Sequence, residues 1–270
     1  MLYFASQNEN FKLYQGDSLK ILATLDSHFD MVFADPPYFL SNDGLTVKNG
    51  LIQSVNKGHW DKLSSINDMD NFNHQWLSCI RTKLKDNGTI WVSGTHHNIF
   101  SIAQVMTVLG FKVLNMITWE KPNPPPNFSC RYFTYSTEWI IWARKEHNIP
   151  HYYNYKLMKK LNGNKQLKDV WRLKSVATWE KTCGKHPTQK PLALLARIIL
   201  ASTKAGDLIL DPFSGSATTG IAAQLLNRQF IGIEQDAGFL ALAKQRYDEL
   251  HDISLAKKMK QKIRAQISVL

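Results

Sequence analysis

Short apolar runs alternate with segments of helical period along most of this chain, and that alternation limits the fold more than any other feature. Strands are predicted at 12–15, 30–34, 88–93, 111–119, 138–143, 207–210 and 229–233. Helices are predicted at 18–26, 71–84, 98–109, 191–202, 217–226 and 238–250. Because each helix can cross over to lay the next strand beside the last, the pattern indicates an α/β fold with a mostly parallel, doubly wound sheet.

One segment interrupts the alternation. Residues 121–127 contain four prolines and open a stretch, predicted to be irregular, that lasts to about residue 188. Between His151 and Lys190 there are ten Lys or Arg against two acids, interleaved with Tyr and Trp. We therefore predict two halves of one core, 1–121 and 186–250, separated by a target-recognition insertion at 122–185 that includes a core strand near 137–144. A structural lid with incidental charge is the alternative.

Size and charge narrow the function classes. The 270 residues suffice for a full α/β core, and the formal net charge of +11 favours a polyanionic partner. No apolar stretch approaches the roughly 18 residues of a membrane span, and the first ten residues do not form a signal peptide, so a cytoplasmic location is expected. The three cysteines have neither metal-ligand nor disulfide spacing, so no metal is expected. In the tail at 251–270, a solvated helix face or a frayed end is as reasonable as a nucleic-acid contact.

The tetrapeptide Asp35-Pro36-Pro37-Tyr38 follows the apolar run 31–34 and offers groups that can accept hydrogen bonds from an amine. The exocyclic amine of a nucleobase is a poor nucleophile because its lone pair is delocalised into the ring. Acceptors for its two hydrogens localise that pair, and Asp35 and the carbonyl of Pro36 supply two. Tyr38 can stack on the base. The alternative is that the two prolines simply end a strand.

A second motif, at 211–220, reads DPFSGSATTG and lies between the predicted strand 207–210 and a helix. A P-loop is excluded because Ile221-Ala222 stands where Lys-Ser/Thr is required, and the glycine spacing does not match a dinucleotide fingerprint. A nucleoside cofactor that carries an amino acid remains. Asp211 would meet its ammonium group, and amides near Thr218 and Thr219 would meet its carboxylate.

Two further acids follow predicted strands at the same edge of the sheet. Glu234 follows the run 230–233, about twenty residues past the glycine turn, where an acid can accept both ribose hydroxyls. On its own it would be a surface acid at the end of a strand, and its register with Asp211 favours ribose binding. Asp17 could accept from an adenine amino group, although Gly16-Asp17-Ser18 is also a good helix N-cap.

Taken together, these motifs resemble the β-class DNA amino-methyltransferases, in which the catalytic segment precedes the S-adenosylmethionine segment. The resemblance covers nearly the whole chain and includes GKHPTQKP at 184–191 and GHWD at 58–61. It implies a circularly permuted, Rossmann-like methyltransferase fold and direct methyl transfer from S-adenosyl-L-methionine. The implied catalytic residues are Asp35, Pro36, Pro37 and Tyr38, and the implied cofactor-binding residues are Asp17, Asp35, Asp211, Pro212, Phe213, Gly215, Ser216, Thr218, Thr219 and Glu234. Ala217, where many members have glycine, is a departure that could narrow the pocket.

Within that family, Asp at the first catalytic position goes mostly with adenine N6 and Ser mostly with cytosine N4, so adenine is expected. Segments 129–134 and 151–155 are similar to DpnA-type adenine methyltransferases of restriction-modification systems, which modify GATC. Arg131 would then read a guanine, although an Arg paired with an acid looks identical in sequence. The predicted DNA-binding residues are Arg131, Tyr132, Lys156 and Lys185.

The expected partner is double-stranded DNA, with single-stranded DNA as a further substrate and no membrane. The resemblance also suggests a homodimer, and a cognate restriction endonuclease that acts on the same site without having to bind the protein. The alternatives are a cytosine-N4 DNA methyltransferase, an RNA or protein amide methyltransferase, and a DNA-binding protein with an inactive site.

Overall fold

A computed structural model of the chain describes residues 1–37, 45–48, 51–54, 66–127 and 129–268. The strands are β1 (Leu2–Ala5), β2 (Phe11–Gln15), β3 (Phe29–Ala34), β4 (Leu45–Lys48), β5 (Leu51–Ser54), β6 (Leu84–Gly94), β7 (Lys112–Glu120), β8 (Thr137–Arg144), β9 (Val170–Arg172), β10 (Leu208–Asp211) and β11 (Gln229–Glu234). The helices are α1 (Ser18–Thr24), α2 (Ile66–Lys83), α3 (Ile99–Val108), α4 (Tyr155–Leu161), α5 (Leu192–Ser202), α6 (Thr218–Leu225), α7 (Ala237–Asp248) and α8 (Ile253–Ile267).

A nine-stranded sheet in the order β1-β2-β11-β10-β3-β6-β8-β7-β9 forms the centre of the fold. The five strands from β2 to β6 in that order pair in parallel, β8 is antiparallel to both of its neighbours, and β9 is parallel to β7. Strand β3 is buried along nearly its whole length, as expected of a strand that is covered on both faces. The predicted α/β class with a mostly parallel sheet is confirmed.

Helices cover both faces of the sheet. One apolar cluster joins α1, α2 and α3 to one face, where Trp76, Leu77 and Ile99 are fully buried. The other cluster joins α4 to α8 to the opposite face, where α5 is buried on almost every side. The helices therefore exclude water from both sides of the same strands, and the ends of the strands are held in fixed positions.

The order of the strands explains how two distant motifs meet. Strand β10 lies between β11 and β3, with Leu210 opposite Val32, so the ends of the two motif-bearing strands are neighbours. Strand β2 comes near the start of the chain but pairs with β11, near its end, and Gln15 lies opposite Glu234. The predicted circular permutation is thus present in the sheet, and four strand ends converge at one edge.

Six strands and helices of the structure were not predicted from the sequence, namely β1, β4, β5, β9, α4 and α8. Strands β1 and β9 are short edge strands, α4 is short and Lys-rich, and the regular apolar stripe of α8 lies among five Lys or Arg side chains. The stretch 121–188 is therefore not irregular throughout, since α4, β8 and β9 lie within it. The tail is not frayed either, because Met259, Ile263 and Ile267 bury one stripe of α8. Among the described residues, no helix is long and apolar enough to cross a membrane.

Gly220 in α6 provides a test of the packing between this helix and the sheet. A Cβ atom at Gly220 would lie 2.5 Å from the ring of Phe230 and 2.7 Å from that of Phe11, both fully buried. In an exposed helix, Gly→Ala stabilises by about 1 kcal/mol, whereas overpacking a core costs roughly 1–3 kcal/mol. We expect the cost of overpacking to exceed the gain in helix propensity, so Gly220→Ala lowers the free energy of unfolding measured in urea. A variant as stable as the parent, or more so, would show that this interface can relax.

Candidate active site

A cleft of about 590 Å³ opens where β2, β3, β10 and β11 end. All the sequence-predicted catalytic and cofactor residues that the structure describes line this cleft, namely Asp17, Asp35, Pro36, Pro37, Asp211, Pro212, Phe213, Gly215, Ser216, Thr218, Thr219 and Glu234. Tyr38 and the motif at 58–61 lie outside the described residues. Arg131, Tyr132, Lys156 and Lys185 are exposed and are not among the cleft residues.

Donors from different parts of the chain hold Asp35. The hydroxyl of Ser93, at the end of β6, donates to Oδ1 over 2.5 Å, and the ammonium of Lys190 donates to Oδ2 over 2.6 Å. The Lys190 side chain is only 7% exposed and that of Asp35 14%. Removing one partner of such a buried pair is costly, because the other charge is then left without compensation. The carboxylate is therefore fixed in position and direction.

Further charges extend from Lys190 toward β8. Its Nζ lies 3.7 Å from Oε2 of Glu138, and Oε1 of Glu138 accepts a hydrogen bond from Lys121. Lys121 follows β7 directly, where the segment that leads to β8 begins. Charges of alternating sign thus connect the Asp35 carboxylate to the base of the segment 121–136.

Asp211, the last residue of β10, is buried beneath the loop that follows it. Its Oδ2 accepts from the hydroxyl of Thr219 over 2.6 Å, and its Oδ1 accepts from the backbone N–H of Phe213 over 3.1 Å. Burial raises the pKa of Asp211 to about 7, and the nearby charges of Asp35 and Glu234 add to the rise. A cation placed beside this carboxylate would favour the ionised form.

The loop between β10 and α6 is held from below by Arg246. This buried guanidinium donates from Nη1 to the carbonyl and hydroxyl of Ser216 over 2.6 and 2.9 Å, and to the hydroxyl of Thr218 over 2.9 Å. Burial lowers the pKa of Arg246 to about 10, which leaves it charged at neutral pH. The phenyl ring of Phe213 packs edge-on against Trp76, with 5.5 Å between ring centroids. The first turn of α6 is therefore presented to the cleft by a rigid loop.

Two residues of this loop have left-handed backbone conformations. Gly215 has φ of +49°, and a Cβ atom there would lie 2.9 Å from Nε2 of His186, so glycine is required on two grounds. Ala217 has φ of +53°, is fully buried and is not among the residues that line the cleft. The expectation that its methyl group narrows the pocket is therefore wrong. What the alanine contributes is backbone strain, of about 1–2 kcal/mol for a residue in this region.

The remaining acids of the cleft accept backbone hydrogen bonds. Glu234 accepts from Gly215 N–H through Oε2, and from the N–H groups of Gln235 and Asp236 through Oε1, at 2.8 to 2.9 Å. Burial raises the pKa of Glu234 despite these donors. Asp17 caps α1 by accepting from Lys20 N–H over 3.0 Å, and it also faces the cleft.

The cleft is acidic, although the protein as a whole is basic. Five carboxylates line it, Asp17, Asp35, Asp211, Glu234 and Asp236, and Lys190 is the one Lys or Arg among its described lining residues. His186 adds no charge at neutral pH, because burial lowers its pKa to about 4. The whole chain nevertheless carries a net charge of +11, so its positive charge lies outside the cleft. The cleft thus suits a cationic ligand, and the exterior suits a polyanion.

Sequence reasoning missed several of the residues that hold the site together. Ser93 and Lys190 hold Asp35, and Arg246 holds the loop after β10. Lys190 lies in the segment 184–191, but nothing in the sequence distinguishes a buried lysine from a solvated one. In the part of the chain that the structure describes, no group of three His, Cys, Asp or Glu side chains is placed to hold a metal ion.

Comparison with known proteins gives consistent matches. The family model described as DNA methylase, covering N6 and N4 methyltransferases, matches residues 29–245. Type II methyltransferase M2.MboI of Moraxella bovis is 65% identical over 269 residues, which cover 99% of this chain and 98% of that protein. Type II methyltransferase M2.DpnII of Streptococcus pneumoniae is 53% identical over 238 residues, covering 87% of this chain and 89% of that protein.

Solved structures with the same fold include the complex of M1.HpyAVI with SAM. It is 29% identical, with a TM-score of 0.69, and the match covers 88% of this chain and 98% of that one. The cytosine-N4-specific PvuII DNA methyltransferase has a TM-score of 0.71 at 20% identity, with 97% and 94% of the two chains covered. At that identity the second likeness supports the fold alone.

The raised pKa of Asp211 predicts how the free energy of unfolding of the ligand-free protein depends on pH. The folded protein keeps this proton up to about pH 7, whereas the unfolded chain loses it near the ordinary pKa of about 3.9, so the free energy of unfolding falls as pH rises between these values. Asp211→Asn lacks this dependence. Between pH 5 and 7 we expect the variant to gain roughly 2 kcal/mol relative to the parent in urea unfolding. A difference between the two proteins that does not change with pH would contradict the assignment.

Proposed function

The chain belongs to the DNA methylase family of type II restriction-modification methyltransferases, and we propose that it transfers a methyl group from S-adenosyl-L-methionine to the N6 atom of adenine within a short DNA sequence. The observation that carries the proposal is the acidic cleft of an otherwise basic protein, with Asp35 at one side of it. A sulfonium nucleoside that carries an ammonium group matches the cleft, and DNA matches the exterior.

The chemistry of the donor and acceptor groups in the cleft fits this cofactor. Asp211 is the buried acceptor for the ammonium group, and the first turn of α6 offers backbone N–H groups to the carboxylate. Glu234 is proposed to accept from the ribose hydroxyls, and Asp17 from the adenine amino group. When bound, the cofactor supplies an electrophilic methyl group on a sulfonium.

Asp35 and Pro36 are proposed to activate the target amine. Asp35 accepts one amino hydrogen and the carbonyl of Pro36 accepts the other, which localises the nitrogen lone pair and stabilises the positive charge that develops on nitrogen. Because Ser93 and Lys190 hold the carboxylate, this geometry exists before the base arrives. The target base must leave the DNA duplex to reach a cleft at the carboxyl ends of the β-strands. Tyr38 is proposed to stack on it.

DNA is proposed to approach over the exposed basic surface outside the cleft. Arg131, Tyr132, Lys156 and Lys185 are all exposed, as such contacts require. The segment 122–185, which contributes these four residues, is proposed as the target-recognition part of the chain. Duplex DNA is the proposed substrate, with single strands as a further one, and the cytoplasm is the proposed site of action. A homodimer and a restriction endonuclease for the same sequence complete the proposal.

The choice of adenine rests on Asp35, the first residue of the catalytic tetrapeptide, because Asp at this position accompanies adenine in the family resemblance. The fold does not discriminate, since the cytosine-N4-specific PvuII enzyme shares it. GATC is proposed as the target from the similarity of segments 129–134 and 151–155 to DpnA-type enzymes.

The role of Asp35 is tested by Asp35→Asn. Asparagine keeps the size of the side chain and an oxygen for Lys190, whereas alanine would remove the closest acceptor of that buried ammonium and destabilise the protein. We expect a loss of at least about a hundredfold in the single-turnover rate, as for removal of other charge-stabilising groups, and little change in the dissociation constant for S-adenosylmethionine. An unchanged rate would exclude Asp35 as the amine acceptor.

The reaction itself is tested by the identity of the product. Labelled methyl transfer to unmethylated DNA, followed by nucleoside digestion and mass spectrometry, is expected to give N6-methyladenine. Asp35→Asn is expected to form it at least about a hundredfold more slowly. N4-methylcytosine would overturn the base assignment and keep the mechanism. Methyl transfer to RNA or protein without transfer to DNA would overturn the substrate class.

A further inference from the structure

The segment between β7 and β8 displays aromatic rings directly to solvent. Phe133 is 97% exposed, Tyr135 62% and Tyr132 59%. The ring of Tyr135 stacks on that of His96, with 4.8 Å between centroids and 13° between planes, and Tyr132 lies 5.7 Å from Tyr135. We call Tyr132, Phe133, Tyr135 and His96 the aromatic platform. His96, Tyr132 and Tyr135 are in ring contact, and Phe133 projects into solvent from the same loop. Water solvates such an exposed apolar surface poorly, so a partner surface is expected.

The aromatic platform is built on a stiff support. Four prolines lie between residues 121 and 127, which restricts the backbone that leads to it. The side chain of Asn127 then closes the loop, because its Nδ2 donates to the carbonyl of Tyr132 over 2.6 Å and its Oδ1 accepts from the N–H of Ser129 over 3.1 Å. A preorganised surface loses little entropy on binding, which is a property of recognition loops.

The aromatic platform is also tied to the catalytic carboxylate. His96 comes three residues after Ser93, whose hydroxyl donates to Asp35. Asn98, two residues further on, accepts from Thr95 N–H over 3.0 Å and donates to the carbonyl of Pro37 over 3.5 Å. The loop that carries Tyr132, Phe133 and Tyr135 starts at Lys121, which is linked to Asp35 through Glu138 and Lys190. Hydrogen bonds and ion pairs thus link the segments that carry the aromatic platform to Asp35.

We propose that the aromatic platform stacks on an unpaired base next to the target base in the same DNA strand. This inference rests on the proposed function and adds a binding site to it. Aromatic faces bind bases of any sequence, and Arg131, exposed within the same loop, supplies positive charge for the adjacent phosphate. Extrusion of the target base disturbs the stack of its neighbours, and the platform offers a disturbed neighbour a new stacking surface.

The test is a double-mutant cycle on DNA affinity, in which one change removes rings from the protein and the other removes a base from the DNA. Duplexes carry the mapped target site with one flanking nucleotide at a time replaced by an abasic residue, and the dissociation constant is measured for the parent and for Phe133→Ala/Tyr135→Ala. Stacking on aromatic side chains corresponds to about five- to 150-fold in affinity per base. We expect the parent to lose at least about fivefold at one flanking position, and the variant to lose nothing further there. Phe100→Ala, which removes an aromatic ring that is 64% exposed on α3, is the matched control and should keep the full abasic penalty.

Equal abasic penalties in the parent and the platform variant would overturn the inference, as would a change in oligomeric state with DNA affinity unchanged, since the platform would then be a protein interface. Failure of this inference is distinguishable from failure of the proposed function. If the parent methylates the DNA and the cycle is additive, only the platform assignment is wrong. If the parent methylates no DNA, the proposed function is wrong and the platform loses its ligand with it.

Discussion

The buried ion pair between Asp35 and Lys190 is the interaction on which the site depends. It joins residues that are 155 positions apart, one after β3 and one before α5, and so fastens the first half of the chain to the second at the edge of the cleft. A buried ion pair is weak evidence for stability, because desolvation offsets much of the attraction. Its geometric consequence is stronger, since with Ser93 it fixes a carboxylate where the proposed amine must be oriented.

The separation of charge within the molecule follows from the fold. Parallel strands whose ends meet at one edge bring Asp17, Asp35, Asp211 and Glu234 together, and burial then raises the pKa of Asp211 and of Glu234. Apart from Lys190, the lysines that the structure describes lie outside the cleft, many of them on α4, on α8 and in the segments between β7 and α5. A cationic ligand and a polyanionic one can therefore bind the same protein at adjoining surfaces without competing.

Much of this architecture was predictable from sequence, because the alternation of buried strands and helices is strongly periodic and the two motifs follow strands. Edge strands β1 and β9 and the Lys-rich helices α4 and α8 were not predicted, since their apolar pattern is short or masked by charge. The predicted pocket residues that the structure describes meet in one cleft, as motifs at the ends of parallel strands should. The partners that hold them, such as Lys190 and Arg246, depend on tertiary contacts that a sequence pattern does not encode.

The most direct measurement is a double-mutant cycle on the single-turnover rate of methyl transfer, with Lys190→Met and Asp35→Asn, and with the dissociation constant for S-adenosylmethionine measured in all four proteins. If Lys190 acts by holding Asp35, Lys190→Met slows transfer by at least about tenfold in the parent, a coupling of roughly 1.4 kcal/mol, and adds almost nothing in the Asp35→Asn background. Equal slowing in both backgrounds would show that Lys190 acts independently of Asp35 and would contradict the central role of the ion pair.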